Sequence, residues 1–172
     1  MIKVGEKAPN LILEGFHQGK MKKFNVYEYL KTKKWVVLFF YPLDFSFICP
    51  TEIASLNQHY EKFPKDVEIF AISVDSIYAH KEWSKQFNGI KFPLLSDINK
   101  EAIKEYEVDL PSGIALRGTF IIDPQGTLRY ALVHDNNIGR SVIELLRVVE
   151  ALKTGDLSPS DWKPGQKTLG KG

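Results

Sequence analysis

Three runs of strand length constrain this chain more than any other feature: WVVLFFY at 35–41, VEIFAISV at 67–74 and TFIID at 119–123. The run at 35–41 is continuously apolar, β-branched and aromatic, as a strand must be when both its faces are buried, and helices on the two sides of a sheet provide that burial. Helix-length stretches lie between the runs. Over 50–63 the apolar residues Ile53, Leu56, Tyr60 and Phe63 recur at spacings of three and four, so a helix begins at or just before Pro50. A second helix is predicted around 78–87, a short strand at 92–95 and a short helix at 100–106. The turn DPQG at 123–126 joins the third run to a strand at 128–133, closing the sheet with a hairpin. SVIELLRVVEAL at 141–152 carries Val142, Ile143, Leu145, Leu146, Val148 and Val149 on an amphipathic helix that must cover the sheet.

Residues 8–29 combine a short apolar segment with Gly15 and Gly19, which predicts a hairpin followed by a polar turn, an added flap. Beyond Gly155 the chain runs DLSPSDWKPGQKTLGKG, rich in Pro, Gly and Ser, and is predicted to be extended and partly mobile. No repeat or linker interrupts the first 152 residues. The division expected is one domain over 1–155 and a tail over 156–172. Strands that alternate with helices and end in a hairpin predict an α/β fold, a thioredoxin-like three-layer sandwich around a central mixed sheet, with the N-terminal hairpin added to it.

Composition narrows the function classes. At 172 residues, 44% hydrophobic and 26% charged, the chain has the balance of one globular domain. Its net charge is +2, and its 23 basic residues are scattered apart from short clusters such as Lys31, Lys33 and Lys34. That pattern predicts no nucleic-acid partner. MIKVGEKAPN lacks the apolar core of a signal peptide, and no apolar run reaches the roughly 20 residues of a membrane span, so no membrane partner and a cytoplasmic location are expected. There is one cysteine, Cys49. Any disulfide it forms is therefore intermolecular, a reducing compartment is the better fit, and the thiol has to be judged by its reactivity.

Cys49 lies within FYPLDFSFICPTEI, 40–53, directly before Pro50. Proline is favoured at the first helical position, so the thiol is expected at the N-terminus of the helix, where unpaired N–H groups and the helix dipole favour an anion. Both effects favour the nucleophilic thiolate. Thr51 adds a hydroxyl in the first turn, and Glu52 stands where a carboxylate can reach back to the helix start. A carboxylate beside a thiolate would oppose its ionisation, so Glu52 makes better sense holding a cation, and arginines are required from elsewhere. A free cysteine is most often a small buried hydrophobe. This one occupies the exit of a central strand, where sites form in open α/β sheets. The absence of a second cysteine three residues away excludes dithiol exchange. His17, His59, His80 and His134 fall in separate elements, which indicates neither a Cys–His pair nor a metal site and leaves surface or packing roles for each.

Pro42, Ser46 and Cys49 fit P-x-x-x-[TS]-x-x-C, and the whole segment 40–53 resembles the active-site loop of the peroxiredoxins, in particular the typical 2-Cys branch, which includes the peroxidase component of bacterial alkyl hydroperoxide reductase. GIALRGTFIID at 113–123 resembles the family segment that supplies an arginine, here Arg117, and GRSV at 139–142 the segment that supplies a second, Arg140. The similarity runs in order from KVGEKAPN to DWKPG. It implies a thiol-dependent peroxidase acting on hydrogen peroxide and organic hydroperoxides, with no metal or cofactor. Cys49 would be the nucleophile that becomes a sulfenic acid. Ser46 would hydrogen-bond the peroxide, Arg117 would hold thiolate and peroxide oxygens, Glu52 and Arg140 would keep Arg117 aimed, and Pro42 would shield the thiolate from water. Taken singly, Ser46 is an ordinary turn hydroxyl and the two arginines are surface charges; taken together in these motifs they are a site. Phe45 and Phe47 are expected to pack, as loop anchors or oligomer contacts.

The chain departs from the 2-Cys pattern in one decisive place. Ser158 stands in LSPSDWKPG at what looks like the position of the resolving cysteine, and a serine cannot condense with a sulfenic acid to a disulfide. Against the resemblance this is either a natural variant served by an external thiol reductant, a thioredoxin-like protein or a small thiol, or a chain whose resolving cysteine was replaced by serine to trap one state. The Gly-Gly-Leu-Gly insertion and the C-terminal Tyr-Phe helix of easily overoxidised members are also absent. Pairing through the edge strand at 128–133 to a homodimer, and a ring of five dimers, are expected by analogy. Functions from other classes are a peroxide sensor or relay, a holdase chaperone, and a non-catalytic thioredoxin-like binding module. The last would not need Cys49, Ser46 and Arg117 together.

Overall fold

The computed structural model describes residues 2–172. The runs at 35–41 and 67–74 become β3 (Trp35–Phe40) and β4 (Val67–Ser73), parallel neighbours at the centre of a seven-stranded mixed sheet. β4 pairs in parallel with β5 (Leu94–Ser96), and β3 pairs antiparallel with β6 (Arg117–Ile122), which continues through a hairpin into β7 (Leu128–His134). On the other flank β1 (Ile12–His17) and β2 (Lys20–Asn25) form the N-terminal hairpin. This hairpin is more than a flap: β1 pairs antiparallel with β5, giving the order β2-β1-β5-β4-β3-β6-β7. Gly15 in β1 makes that pairing feasible, since a Cβ there would come within 2.6 Å of the Leu95 side chain.

Alternation along β3 explains the three layers, because successive side chains of a strand point to opposite faces. Val36, Leu38 and Phe40 join one core with α1 (Val26–Lys31) and α4 (Ala102–Glu105). Val37, Phe39 and Tyr41 join the other with α2 (Cys49–His59), α3 (Ile77–Ser84) and α5 (Val142–Thr154). α1 replaces the polar turn expected after the hairpin. Its signals are local: Asn25 caps it by accepting from the Tyr27 N–H at 3.1 Å, and Val26 and Leu30, four apart, are its buried pair. The helix expected over 50–63 ends at His59 and passes into a 3-10 turn, Tyr60–Lys62.

The tail, expected to be extended, doubles back. Leu157 pairs its backbone with Leu169 and Gly170, and Trp162 is buried with its indole N–H donating to the Gln166 carbonyl at 3.0 Å. Arg147 of α5 reaches the Trp162 carbonyl, which ties the tail to the helix layer. No helix among the described residues is long and apolar enough to cross a membrane.

Candidate active site

β3, buried on both faces, delivers the chain to Tyr41 and Pro42, and residues 42–48 form a loop beyond its carboxyl end before α2 begins. Pro42 is buried where the chain leaves the strand. The Ile48 carbonyl accepts from the Thr51 and Glu52 N–H groups, so Ile48 is the cap and Cys49 the first helical residue, one position earlier than a proline at the first position implied. Pro50 in the second position still lacks an N–H that would have no partner in the helix. The thiol remains at the positive end of the α2 dipole and is fully buried.

Two elements bring guanidinium groups to it. Arg117 opens β6, which lies beside β3, and its Nη1 donates to Cys49 Sγ at 3.4 Å and to Glu52 Oε2 at 2.7 Å. Its Nε donates to the Asn136 carbonyl at 3.0 Å, while Nη2 makes no hydrogen bond among the described residues. Arg140, just before α5, surrounds the same carboxylate: Nε and its backbone N–H donate to Glu52 Oε1 at 2.9 and 2.8 Å, and Nη2 to Oε2 at 2.9 Å. Its Nη1 donates to the Gly118 carbonyl and to Thr119 Oγ1, and its guanidinium stacks 3.4 Å from the centre of the Phe39 ring. Arg140 thus contacts Glu52 and β6 without touching the thiol.

Charge balance in this cluster is uneven. Burial, the largest effect, pushes the Glu52 carboxyl up, but the hydrogen bonds and charge of Arg140 together with the charge of Arg117 outweigh it and hold the group below the usual carboxylate range. Burial, again the largest effect, pushes Arg140 below the ordinary guanidinium range, partly restored by Glu52. It stays charged at any ordinary pH. Two cations share one anion, so positive charge is left over beside the sulfur, and a thiolate would neutralise it.

The structure brings Cys49, Glu52, Arg117 and Arg140 into one buried cluster. Ser46 lies in the same loop, half-buried, and its hydroxyl donates to the Leu43 carbonyl at 2.9 Å, leaving its lone pairs free. Thr51 donates to the Ile48 carbonyl, so it closes the first turn of α2. Sequence reasoning misses Asn136, Thr119 and Phe39, because an acceptor carbonyl and an aromatic face carry no spacing signal. Among the described residues no group of three His, Cys, Asp or Glu side chains could hold a metal ion.

Residues 4–131 match the AhpC/TSA family. The chain belongs to the AhpC/TSA family of peroxiredoxins. YkuU of Bacillus subtilis (strain 168), a protein assigned by name to the peroxiredoxins, is 47% identical over 175 residues, covering 96% of this chain and 97% of that one. The chloroplastic 2-Cys peroxiredoxin BAS1 of Hordeum vulgare is 41% identical over 178 residues, covering 96% of this chain and 84% of that one. The crystal structure of reduced Plasmodium vivax 2-Cys peroxiredoxin superimposes with a TM-score of 0.89 at 38% identity, covering 95% of this chain and 91% of that one. The thioredoxin-like fold and the 2-Cys resemblance expected from the sequence are thus both found. With one cysteine the chain carries no resolving partner of its own. As a peroxiredoxin it is a thiol-dependent peroxidase, and its family acts on peroxides with thiol reductants and typically oligomerises.

Proposed function

We propose that Cys49 is the peroxidatic nucleophile and that its sulfenic acid is reduced by an external thiol. The observation that carries this reading is the single hydrogen bond from Arg117 Nη1 to Cys49 Sγ, 3.4 Å, made by a guanidinium that Glu52 fixes and whose Nη2 is free among the described residues. The thiolate attacks one oxygen of the hydroperoxide, an S–O bond forms as the O–O bond breaks, and the leaving oxygen departs with the electron pair and takes a proton to become water or an alcohol. Charge moves from sulfur to that oxygen. The free Nη2 of Arg117 is the donor positioned to follow it, and a donor fixed in advance is worth most in a site closed to water; the lone pairs of the Ser46 hydroxyl can accept from the hydroperoxide O–H. Pro42 limits water at the strand exit. Glu52 and Arg140 hold Arg117 and do not react.

Regeneration consumes two reducing thiols: one forms a mixed disulfide with Cys49 and releases water, and the second displaces Cys49 as thiolate. With Ser158 in the tail, both thiols come from outside the chain, from a thioredoxin-like protein or a small thiol. Residues 1–155 would be the catalytic body and 156–172 a tail without chemistry. A single cysteine fits a reducing, cytoplasmic setting. Phe47, 95% exposed, and Phe45, 56% exposed, fit a contact between copies, and β7, an edge strand bonded at its start to Gly5 and Glu6, is the strand through which two protomers would pair to a homodimer, with a ring of dimers as the larger assembly.

Stopped-flow tryptophan fluorescence tests the assignment, because Trp83 stacks on Tyr41 at 5.6 Å and lies 6.4 Å from Phe45. Mixing reduced protein with hydrogen peroxide is expected to give a fast second-order change that Cys49→Ser abolishes. A rate no greater than that of a free thiol would sink the assignment. Mass spectrometry of peroxide-treated protein with each class of thiol reads the second half of the cycle; no recovery of the Cys49 thiol with any of them would remove the external-reductant step.

A further inference from the structure

Behind the loop that carries Cys49 lies a second buried polar cluster that the peroxidase reading does not use. Asp44 and His80 are both enclosed, with side chains 0% exposed. Their contact, Nδ1 to Oδ2, is 2.7 Å. His80 Nε2 lies 3.0 Å from the Leu95 carbonyl, an atom that can only accept, so Nε2 carries a proton. Tyr41, also buried, donates its O–H to Asp44 Oδ1 at 2.7 Å. With Nε2 protonated, a hydrogen bond between Nδ1 and Oδ2 needs one further proton, held either by the imidazole or by the carboxyl. Without it, a lone pair on nitrogen faces a buried carboxylate. Either arrangement with the proton leaves the pair neutral overall.

The same residue is the anchor of the loop. Among the described residues, the hydrogen bonds that tie residues 42–47 to the rest of the fold all pass through Asp44: its N–H to Asp75 Oδ2 at 2.8 Å, and its two carboxylate oxygens to Tyr41 and His80. The Ser46 hydroxyl bond stays inside the loop. Phe45, next along, sits at φ 55, a left-handed conformation that is costly for a bulky side chain and persists only when its surroundings hold it.

We propose that Asp44 and His80 together retain one buried proton at neutral pH, and that this proton latches the 42–48 loop, and so holds Cys49 against Arg117. The latch does not rest on the chemistry proposed for Cys49. Its alkaline response follows by linkage. In the opened loop both side chains regain water and no longer share a proton. Above the ordinary imidazole range the open form has lost the proton that the closed form keeps, so opening gains about tenfold for each further pH unit. The latch is therefore strongest between the ordinary carboxylate and imidazole ranges, and its stability is lost as pH rises above the latter. The titratable groups that face the pair, among the described residues, are Tyr41 at the end of β3 and Asp75 beyond β4; β5 contributes only the Leu95 carbonyl. Burial and then the charge of Asp44 push the Tyr41 phenol well above its ordinary value, so it remains a donor through this range. Burial likewise pushes Asp44 up, against the bond from His80, and Asp75 adds to the upward push.

Amide hydrogen exchange of the reduced full chain, read on peptides covering 42–49, β3 and β4 and corrected for the intrinsic rise of exchange with pH, tests this. Protection of 42–49 is expected to fall about tenfold per pH unit in the alkaline range while the strands hold. Asp44→Asn, whose amide can donate to the neutral imidazole and accept from Tyr41, is expected to abolish that slope. An equal slope in Asp44→Asn, or loss of protection in loop and strands together, overturns the latch. If Asp44→Asn does not fold, proton and nitrogen-15 spectra of the unmodified chain decide: a slowly exchanging, far-downfield proton correlated with His80 Nδ1 at neutral pH is expected, and its absence overturns the proposal.

Discussion

Two guanidinium groups, 3% and 8% exposed, converge on the carboxylate of Glu52, itself 2% exposed, and this one side chain decides whether the arrangement is stable. Removing one partner of a buried ion cluster leaves charge without compensation and costs about 3–5 kcal/mol. Glu52→Gln is therefore expected to lower stability at neutral pH by about 3 kcal/mol, measured by urea denaturation. Because the Glu52 carboxyl is held below its ordinary value, its contribution is present above the carboxylate range of the unfolded chain and is lost as pH falls through the folded value. The gap between wild type and Glu52→Gln should consequently narrow as the solution is acidified. A gap that stays constant from about pH 7 to about pH 3 would mean that the carboxylate charge is not what holds the arginines. Ser46 makes a smaller contribution. Its hydroxyl oxygen can accept one hydrogen bond from the hydroperoxide, so Ser46→Ala is expected to slow peroxide reaction about tenfold in stopped-flow fluorescence, with stability little changed.

β6 connects the site to the core, since it begins at Arg117 and its next residue, Gly118, offers its carbonyl to Arg140 Nη1 at 2.8 Å. A Cβ on Gly118 would lie 2.8 Å from the Val108 side chain and 2.9 Å from the Phe120 ring, both buried. Neither can move freely, so Gly118→Ala should shift the strand, cost about 1–3 kcal/mol in the denaturant midpoint and slow the reaction with peroxide through Arg117 and Arg140 together. Unchanged kinetics in a destabilised variant would separate the strand from the site. Legibility in the sequence also divides by element. Continuous apolar runs reveal β3 and β4 because burial on both faces leaves no other composition, and Pro50 marks the start of α2 to within one residue. The apolar run places the start of β6 two residues late, because Arg117 and Gly118 look like a loop until the arginine is seen to be buried by Glu52. The six-residue α1 escapes because its one buried pair is too short a period to register, and the join of β1 to β5 because pairing across the sheet is not a local property. His80 reads as a packing residue for the same reason: its partner, Asp44, is 36 positions away.

The whole chain is organised so that one thiol is enclosed and nothing in the same protomer is available to resolve it. Ser158 is where this can be changed. Its Oγ is buried without a hydrogen-bond partner among the described residues, and a buried hydroxyl left alone costs about 1–3 kcal/mol, whereas a thiol behaves as a small hydrophobe. Ser158→Cys is thus expected to fold at least as well as the parent chain. If copies pair as proposed, the tail of one protomer must reach Cys49 of another, which requires that the 42–48 loop open and that the tail lift from α5, where Arg147 holds the Trp162 carbonyl. After stoichiometric peroxide, Ser158→Cys should run as a disulfide-linked dimer on non-reducing electrophoresis, the parent chain as a monomer, and the double variant Cys49→Ser/Ser158→Cys as a monomer again. Crosslinking that persists in the double variant would show that the new thiol pairs with itself. No crosslinking at all, with Cys49 oxidised, would mean that the tail does not reach the neighbouring site, and the loss of the resolving cysteine would then be only part of what separates this chain from its 2-Cys relatives.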